Sequence, residues 1–386
     1  MFITQVKLKN WRNFKEVDIP LRDQTYLIGP NASGKSNLLD VFRFLRDVSK
    51  SAGGGLQKAV EERGGISKLR CLHARRDPEV RIEVHISELP DSESPKWHYI
   101  LGFKLEGKGA QRLLVSKEQV WLRDAKKPII NRPNREDKSD PRRLTETYLE
   151  QVNSNGEFRE IVDFFSAITY LHLVPQLLKY GDKIGGNRLE DDPFGQGFLE
   201  RIARCPQKTR DSRLKKIENT LKAAVPRLEQ LKFEKDKITG HPHLEARYEH
   251  HRPNAGWQRE EQFSDGTLRL LGLLWSLLDG DSLLLLEEPE LSLNDAIIEQ
   301  IPRMIQSLQR KAKRRRQIMI STHSEALLRN PAIDGRGVLR LDPGDEGTKV
   351  RVADSKDLAY LEAGLSVAEV LLPKVRPKGA EQLELF

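Results

Sequence analysis

Apolar and polar side chains alternate from Val80 to Ile86 (Val80, Ile82, Val84, Ile86), and the stretches near 97–105 and 112–122 repeat the pattern. A period of two turns one face of a strand to a core and the other to solvent, so these segments predict an antiparallel sheet. Phe2 to Leu8 predicts an earlier strand with a less regular alternation, and Val17 to Leu21 a second extended piece. Thr25-Tyr26-Leu27-Ile28 reads as a buried strand, and Leu38, Phe42 and Leu45 then recur at helical spacing up to about Lys50. Ser51-Ala52-Gly53-Gly54-Gly55 breaks that helix.

Further on, residues 131–143 are polar and proline-bearing and predict an exposed loop, while Ile168 to Val174 predicts an apolar strand ending at Pro175-Gln176. Gly195 to Arg204 and Arg210 to Val225 (Leu214, Ile217, Leu221, Val225) carry helical spacing, and Leu231 to Arg247 predicts a hairpin turning near Gly240. An apolar helix (Leu270, Leu271, Leu274, Leu277, Leu278) follows Gln262-Phe263-Ser264-Asp265-Gly266-Thr267. Asp281 to Leu286 predicts a buried strand ending in Glu287-Glu288-Pro289-Glu290, residues 294–310 a helix, and Gln317 to Ser321 a strand ending in Thr322-His323-Ser324.

Between the first buried strand and its helix lies Gly29-Pro30-Asn31-Ala32-Ser33-Gly34-Lys35-Ser36, which fits G-x-x-x-x-G-K-[ST]. Two glycines let the backbone turn its N–H groups inward and form an anion-binding concavity at a helix N-terminus. Lys35 would reach the β/γ-phosphates of a nucleotide, and the Ser36 hydroxyl would bind Mg²⁺. With strand and helix in place, a chance glycine turn is the weaker explanation.

Composition permits this chemistry and removes other classes. The 386 residues are 38% hydrophobic and 32% charged, enough for a sizeable core in one large or two moderate domains. A formal charge of +8 permits a polyanionic partner. Two cysteines exclude a disulfide framework and any zinc site built on cysteine alone. The first residues lack a basic stretch followed by an apolar one, and no apolar run approaches the ~20 residues that span a bilayer. The expected location is the cytoplasm.

In order and identity these motifs resemble the ABC-type ATPases of the RecF/SMC/OLD group. The resemblance rests on Asn13-Phe14 after the first strand, the loop from Gly29 to Ser36 with Asn37, and Phe263-Ser264-Asp265-Gly266-Thr267 as a signature. Leu283-Leu284-Leu285-Leu286-Glu287-Glu288-Pro289-Glu290 matches a Walker B strand, and His323 a switch histidine. It implies an α/β fold: a P-loop ATPase head with a mixed sheet core, an antiparallel β subdomain and a small helical insert. The expected division is a first lobe over 1–180, a helical insert over 181–230, a second lobe over 231–372 and a flexible tail over 373–386. The resemblance also implies ATP and Mg²⁺ as ligands and a dimer closed around ATP, with Ser264 and Gly266 of one subunit meeting the γ-phosphate held by Lys35 of the other. Asn31, Ala32, Ser33, Gly34, Lys35, Ser36 and Asn37 would line the nucleotide, while Ser36, Glu287 and Gln176 would hold the metal. Glu288 would orient or deprotonate the attacking water, and His323 would sense the γ-phosphate. Members of the group usually carry Asp where this chain has Glu287.

Three features leave alternatives open. Arg310-Lys311-Ala312-Lys313-Arg314-Arg315-Arg316 reads either as a solvated helix end or as a contact for duplex DNA. The last residues, with Gln382, Leu383, Leu385 and Phe386, resemble a peptide that docks on the replicative sliding clamp; the alternative is a tail that packs against its own subunit or a partner ATPase. His241, His243, His250 and His251 raise a metal site, against an exposed hairpin. Only 63 residues follow His323, too few for the Toprim nuclease of OLD relatives, so the expectation is a stand-alone head. The leading function is a DNA-sensing regulatory ATPase of an anti-phage system with a separately encoded effector such as a nuclease. The alternatives are a RecF-like repair ATPase and an ATP-driven assembly module, the last disfavoured by Glu288.

Overall fold

A computed structural model describes residues 1–74, 77–92, 94–107, 111–181, 191–249, 256–311 and 315–376. The chain opens with the antiparallel pair β1 (Phe2–Trp11) and β2 (Phe14–Pro20), followed by β3 (Gln24–Ile28), the glycine loop and α1 (Lys35–Ser49). Next come β4 (Val80–Ser87), β5 (Trp97–Leu105), β6 (Leu113–Leu122) and β7 (Ile130–Arg132). After α2 (Arg159–Ser166) stand β8 (Thr169–Leu171), α3 (Pro175–Tyr180), α4 (Phe198–Arg204) and α5 (Gln207–Ala224). The hairpin of β9 (Leu228–Lys235) and β10 (Pro242–Tyr248) takes on β11 (Gln258–Arg259) at its edge. The last stretch holds α6 (Asp265–Leu278), β12 (Leu284–Glu287), α7 (Ile301–Lys311), β13 (Ile318–Ser321), β14 (Val338–Asp342) and β15 (Lys349–Val352).

Two six-stranded sheets carry the architecture. One is antiparallel throughout, in the order β2-β1-β4-β5-β6-β7, and its inward residues Val80, Ile82, Val84 and Ile86 are buried as their alternation predicts. The other runs β15-β14-β3-β13-β12-β8 and is parallel except for its β15 edge. Its inner strands β3, β12 and β13 are short and largely apolar because both faces are covered. Leu27, Leu285, Met319 and Leu339 enter a core shared with α1 and the antiparallel sheet. Their neighbours Tyr26, Ile28, Leu284, Leu286, Ile318 and Ile320 enter a second core with α6. Gln317 clasps the two sheets, since its buried amide accepts from Ile3 N (2.8 Å) and donates to Ile3 O (2.7 Å) and Arg22 O (3.0 Å).

Four expectations change. The polar stretch 131–143 is not an exposed loop: it contains the end of β7, a helix over Arg135–Ser139 and a 3-10 turn over Pro141–Thr145. Its charges satisfy one another inside, where the fully buried Arg132 guanidinium meets Glu118 and Asp137 at 3.0 Å each and lies 3.9 Å from the centre of the Tyr148 ring. The strand expected over 168–174 pairs in the sheet only to Leu171, because His172 N and Val174 N donate instead to Pro193 O and Phe194 O. The helix expected over 294–310 is two helices, Asp295–Ile298 and α7. Pro302, in the first turn of α7, cannot donate to the preceding turn and fixes a helix start there.

The basic run is the fourth. Residues 312–314 lie outside the described residues, and Arg310 and Arg315 are exposed. Arg316, however, turns inward and is 3% exposed. It donates to Ser282 O (2.6 Å), Ser276 O (2.7 Å), Thr169 Oγ1 (2.9 Å) and Asp279 O. Ser276 and Asp279 offer carbonyls at the C-terminal end of α6, which has no further turn to bond them. Burial lowers the Arg316 pKa to about 10, against the pull of Asp279 and Asp281. It is part of the fold rather than a solvated cation.

Candidate functional site

Parallel pairing fixes what meets at the sheet's C-terminal edge, the usual place for a ligand in such a sheet. Ser321 of β13 stands in register with Glu287 of β12 on one side and Leu27 of β3 on the other. The residues that follow these strands, Glu288, Thr322-His323 and the glycine loop, therefore converge. Glu288 N donates to Ser321 O (3.0 Å) and Thr322 N to Leu27 O (3.1 Å), which closes the edge.

The loop needs its glycines. Gly34 has φ 101, and a Cβ there would lie 2.2 Å from Asn13 Nδ2; Ala32 also takes a left-handed φ of 62. Asn13 supports the loop by donating to Ser33 O (3.0 Å), as Thr348 Oγ1 does (2.9 Å). Asn37 donates to Asn13 Oδ1 (2.8 Å), so its side chain braces the loop from behind. Lys35 folds back to donate to Gly29 O (3.0 Å) and Pro30 O (3.2 Å). Burial lowers its pKa, opposed by Glu288, Glu287 and Glu290. Ser33 Oγ is buried with no hydrogen-bond partner. A buried lysine, an orphaned hydroxyl and a turn too tight for a Cβ fit a bound phosphate chain. Asn31 is exposed and, with Gly29, Pro30 and His323, lines a cavity of about 490 Å³.

The acidic residues divide by environment. Glu287 accepts from Ser36 Oγ on one oxygen and from the Tyr170 hydroxyl on the other. This pairing of hydroxyl and carboxylate oxygens suits a hard cation such as Mg²⁺. Glu288 lies 3.6 Å from His323 Nε2. Its φ of 44 is left-handed, a strained conformation for a side chain of this size and directly before Pro289. Ser321 O holds its N–H, and Arg269 Nη1 donates to its carbonyl (3.3 Å). Glu290 is buried and accepts from Thr322 Oγ1 (2.5 Å) and His323 N (3.2 Å); burial raises its pKa. For His323, burial and then the Lys35 charge lower the pKa, against Glu288.

The signature stands apart. Ser264 caps α6 by accepting from Thr267 N (3.2 Å). Gly266 packs so closely that a Cβ would come 2.7 Å from Ser292 O. Among the described residues no hydrogen bond or ion pair joins Ser264 or Gly266 to the glycine loop. Gln176, expected at the metal, instead donates to Asp265 Oδ2 of the signature (2.9 Å), and Lys179 pairs with Asp265 at 2.8 Å.

Sequence reasoning missed Tyr170 and Arg269. Tyr170 bonds Glu287 and lies under the Arg43 guanidinium, 4.1 Å from its ring centre. Only its place on a strand flanking β12 could have signalled this. Arg269, two residues beyond Thr267, reads in the sequence as one more surface charge. Of the hairpin histidines, His243 pairs with Glu260 at 2.9 Å, and His250 and His251 lie outside the described residues.

Fold and site define the class: an ABC-type P-loop ATPase of the RecF/SMC group. The chain belongs to the family described as "AAA domain, putative AbiEii toxin, Type IV TA system", whose model matches residues 25–329. A model of the P-loop containing region of AAA domain matches residues 3–45. The chain is similar to the DNA replication and repair protein RecF of Roseiflexus castenholzii, 31% identical over 102 residues, covering 24% of this chain and 26% of that one. For the same protein of Agathobacter rectalis the identity is 33% over 88 residues, covering 22% and 24%. The chain thus matches about a quarter of the length of these relatives. In fold it is similar to an SmcHead crystallised with the C-winged helix domain of ScpA, at TM-score 0.55 and 15% identity, covering 92% of this chain and 99% of that one. No helix among the described residues is long and apolar enough to cross a membrane.

Proposed function

We propose that this chain binds and hydrolyses ATP at the glycine loop, in a site completed by a second copy, and that the cycle switches a DNA-linked response. The observation that carries this is the convergence of Lys35, Ser36, Glu287, Glu288 and His323 on one sheet edge. Mg²⁺-ATP would supply the transferable phosphoryl group and a cation that neutralises developing charge. Lys35 and the loop N–H groups would bind the phosphates, and Ser36 and Glu287 would hold the cation. Glu288 would take the proton of the attacking water, with His323 beside it as the γ-phosphate contact. Gln176, tied to Asp265, would link this site to the signature, whose Ser264 and Gly266 would serve the partner's nucleotide.

Calorimetry and a phosphate-release assay test this directly. Lys35→Ala should abolish nucleotide binding. Glu288→Gln should keep binding while turnover falls by about 10²–10⁴-fold, the range a positioned general base contributes. Unchanged turnover in Glu288→Gln would remove that residue from the base role.

The wider role is regulation of an anti-phage response through a separately encoded effector such as a nuclease. The toxin–antitoxin description of the family supports this, and the RecF name of the relatives favours a second reading, repair of DNA without a toxic partner. Residues 377–386 lie outside the described residues, and Gln382, Leu383, Leu385 and Phe386 there are the proposed clamp contact. A purified sliding clamp should bind the chain at roughly micromolar affinity, as suits a short peptide that orders on docking. Equal binding by Leu385→Ala/Phe386→Ala would dispose of that contact.

A further inference from the structure

On the solvent side of the antiparallel sheet, away from the glycine loop, three metal-ligating side chains come together. Glu83 and His85 are two apart on β4 and so share a face, and His98 of β5 stands directly across from His85 in the strand register. His98 Nε2 lies 2.8 Å and His85 Nε2 3.6 Å from the same Glu83 oxygen, and the two rings meet edge to face at 4.4 Å. One ligand atom from each of the three residues falls within 4.8 Å of the others. All three side chains are 20–27% exposed, open to an ion from solvent yet held on two paired strands of the sheet. We propose that Glu83, His85 and His98 form a binding site for a divalent transition ion of the zinc class.

The donor set decides the ion. Two imidazole nitrogens and one carboxylate suit Zn²⁺ at about 2.0–2.2 Å, and three protein ligands leave a fourth position for water. Ligands spaced 2.8 and 3.6 Å apart already bracket the ~3.3 Å edge of a tetrahedron at such bond lengths. A hard ion such as Mg²⁺ would gain little from two imidazoles. Lys7, across from Glu83 on β1, is the competing cation, at 3.9 Å from Glu83 Oε1. It also reaches Asp18 Oδ2 at 3.6 Å, so it has an acid to keep when an ion takes Glu83. Binding would pin β4 to β5 at the middle of the sheet.

The test is calorimetric titration of untagged, chelator-treated full-length protein with ZnSO₄, beside His85→Gln and His98→Gln. Loss of an outer-shell partner alone costs about 10–100-fold in metal affinity, so loss of a direct ligand should cost ~100-fold or more. One equivalent should bind the native protein and raise its melting temperature, and each variant should lose both effects while circular dichroism stays unchanged. ATP turnover in the variants should equal that of the native protein, since neither residue belongs to the nucleotide site. No binding by the native protein at 100-fold molar excess of Zn²⁺, or equal binding by the variants, overturns the proposal.

Discussion

Glu288 and His323 sit 3.6 Å apart at the end of two neighbouring strands, and their surroundings set how each behaves. Partial desolvation and then the charge of the Lys35 ammonium lower the folded pKa of His323 from the ordinary imidazole value. The unfolded chain then binds a proton more readily than the folded one. Stability linked to His323 is present above about pH 6.5 and is lost as pH falls below it toward the lowered folded pKa. The nucleotide-free native protein should therefore lose melting temperature relative to His323→Gln between pH 7.5 and 5.5. A difference that stays constant across that range would contradict the environment assigned to this side chain. The strained Glu288 is held by contacts on both its backbone groups, from Ser321 and Arg269, and such positions persist only when surrounding structure over-determines them.

At the scale of elements, the described part of the run 310–316 separates into the exposed Arg310 and Arg315 and the inward-turned Arg316. Arg316→Gln would leave carbonyls of α6 and of Ser282 without their donor and should destabilise the chain by ~3 kcal/mol or more, measured by urea denaturation. Arg315→Gln should stay within about 0.5 kcal/mol of the native protein. Reversing the exposed Arg310 and Arg315 should weaken DNA binding and flatten its dependence on salt. An unchanged salt slope would leave these two as solvated charges. Equal stability of Arg316→Gln and Arg315→Gln would contradict the inward placement of Arg316.

The same run shows what the sequence can carry. The glycine loop, the alternation over Val80–Ile86 and the apolar β12 were legible because each signal is local: a fixed spacing, a period of two, a run. The two-helix break is also written locally, in Pro302, whose missing N–H starts a new helix there. Arg132, Arg316 and Tyr170 were not, because their partners lie on other elements: Glu118 is 14 residues from Arg132, Ser276 is 40 from Arg316 and Glu287 is 117 from Tyr170. The Glu83, His85 and His98 cluster depends on strand register, which no single strand encodes.

For the whole molecule, the proposed cycle requires two copies to share each ATP site. Within one chain Ser264 and Gly266 sit on the α6 side while Lys35, Glu287 and Glu288 gather at the sheet edge, and the second copy would bring one set to the other. A two-fold pair places the same surface on both subunits, so a defect in either set should silence both sites of a homodimer. Mixing Lys35→Ala with Ser264→Arg leaves one intact composite site in each heterodimer. The measurement is phosphate release by each variant alone and by the equimolar mixture. Two inactive variants and a mixture recovering up to about a quarter of the native rate is the predicted result, from half the dimers carrying one of two sites. A Ser264→Arg variant that hydrolyses ATP at the native rate by itself would contradict the shared site.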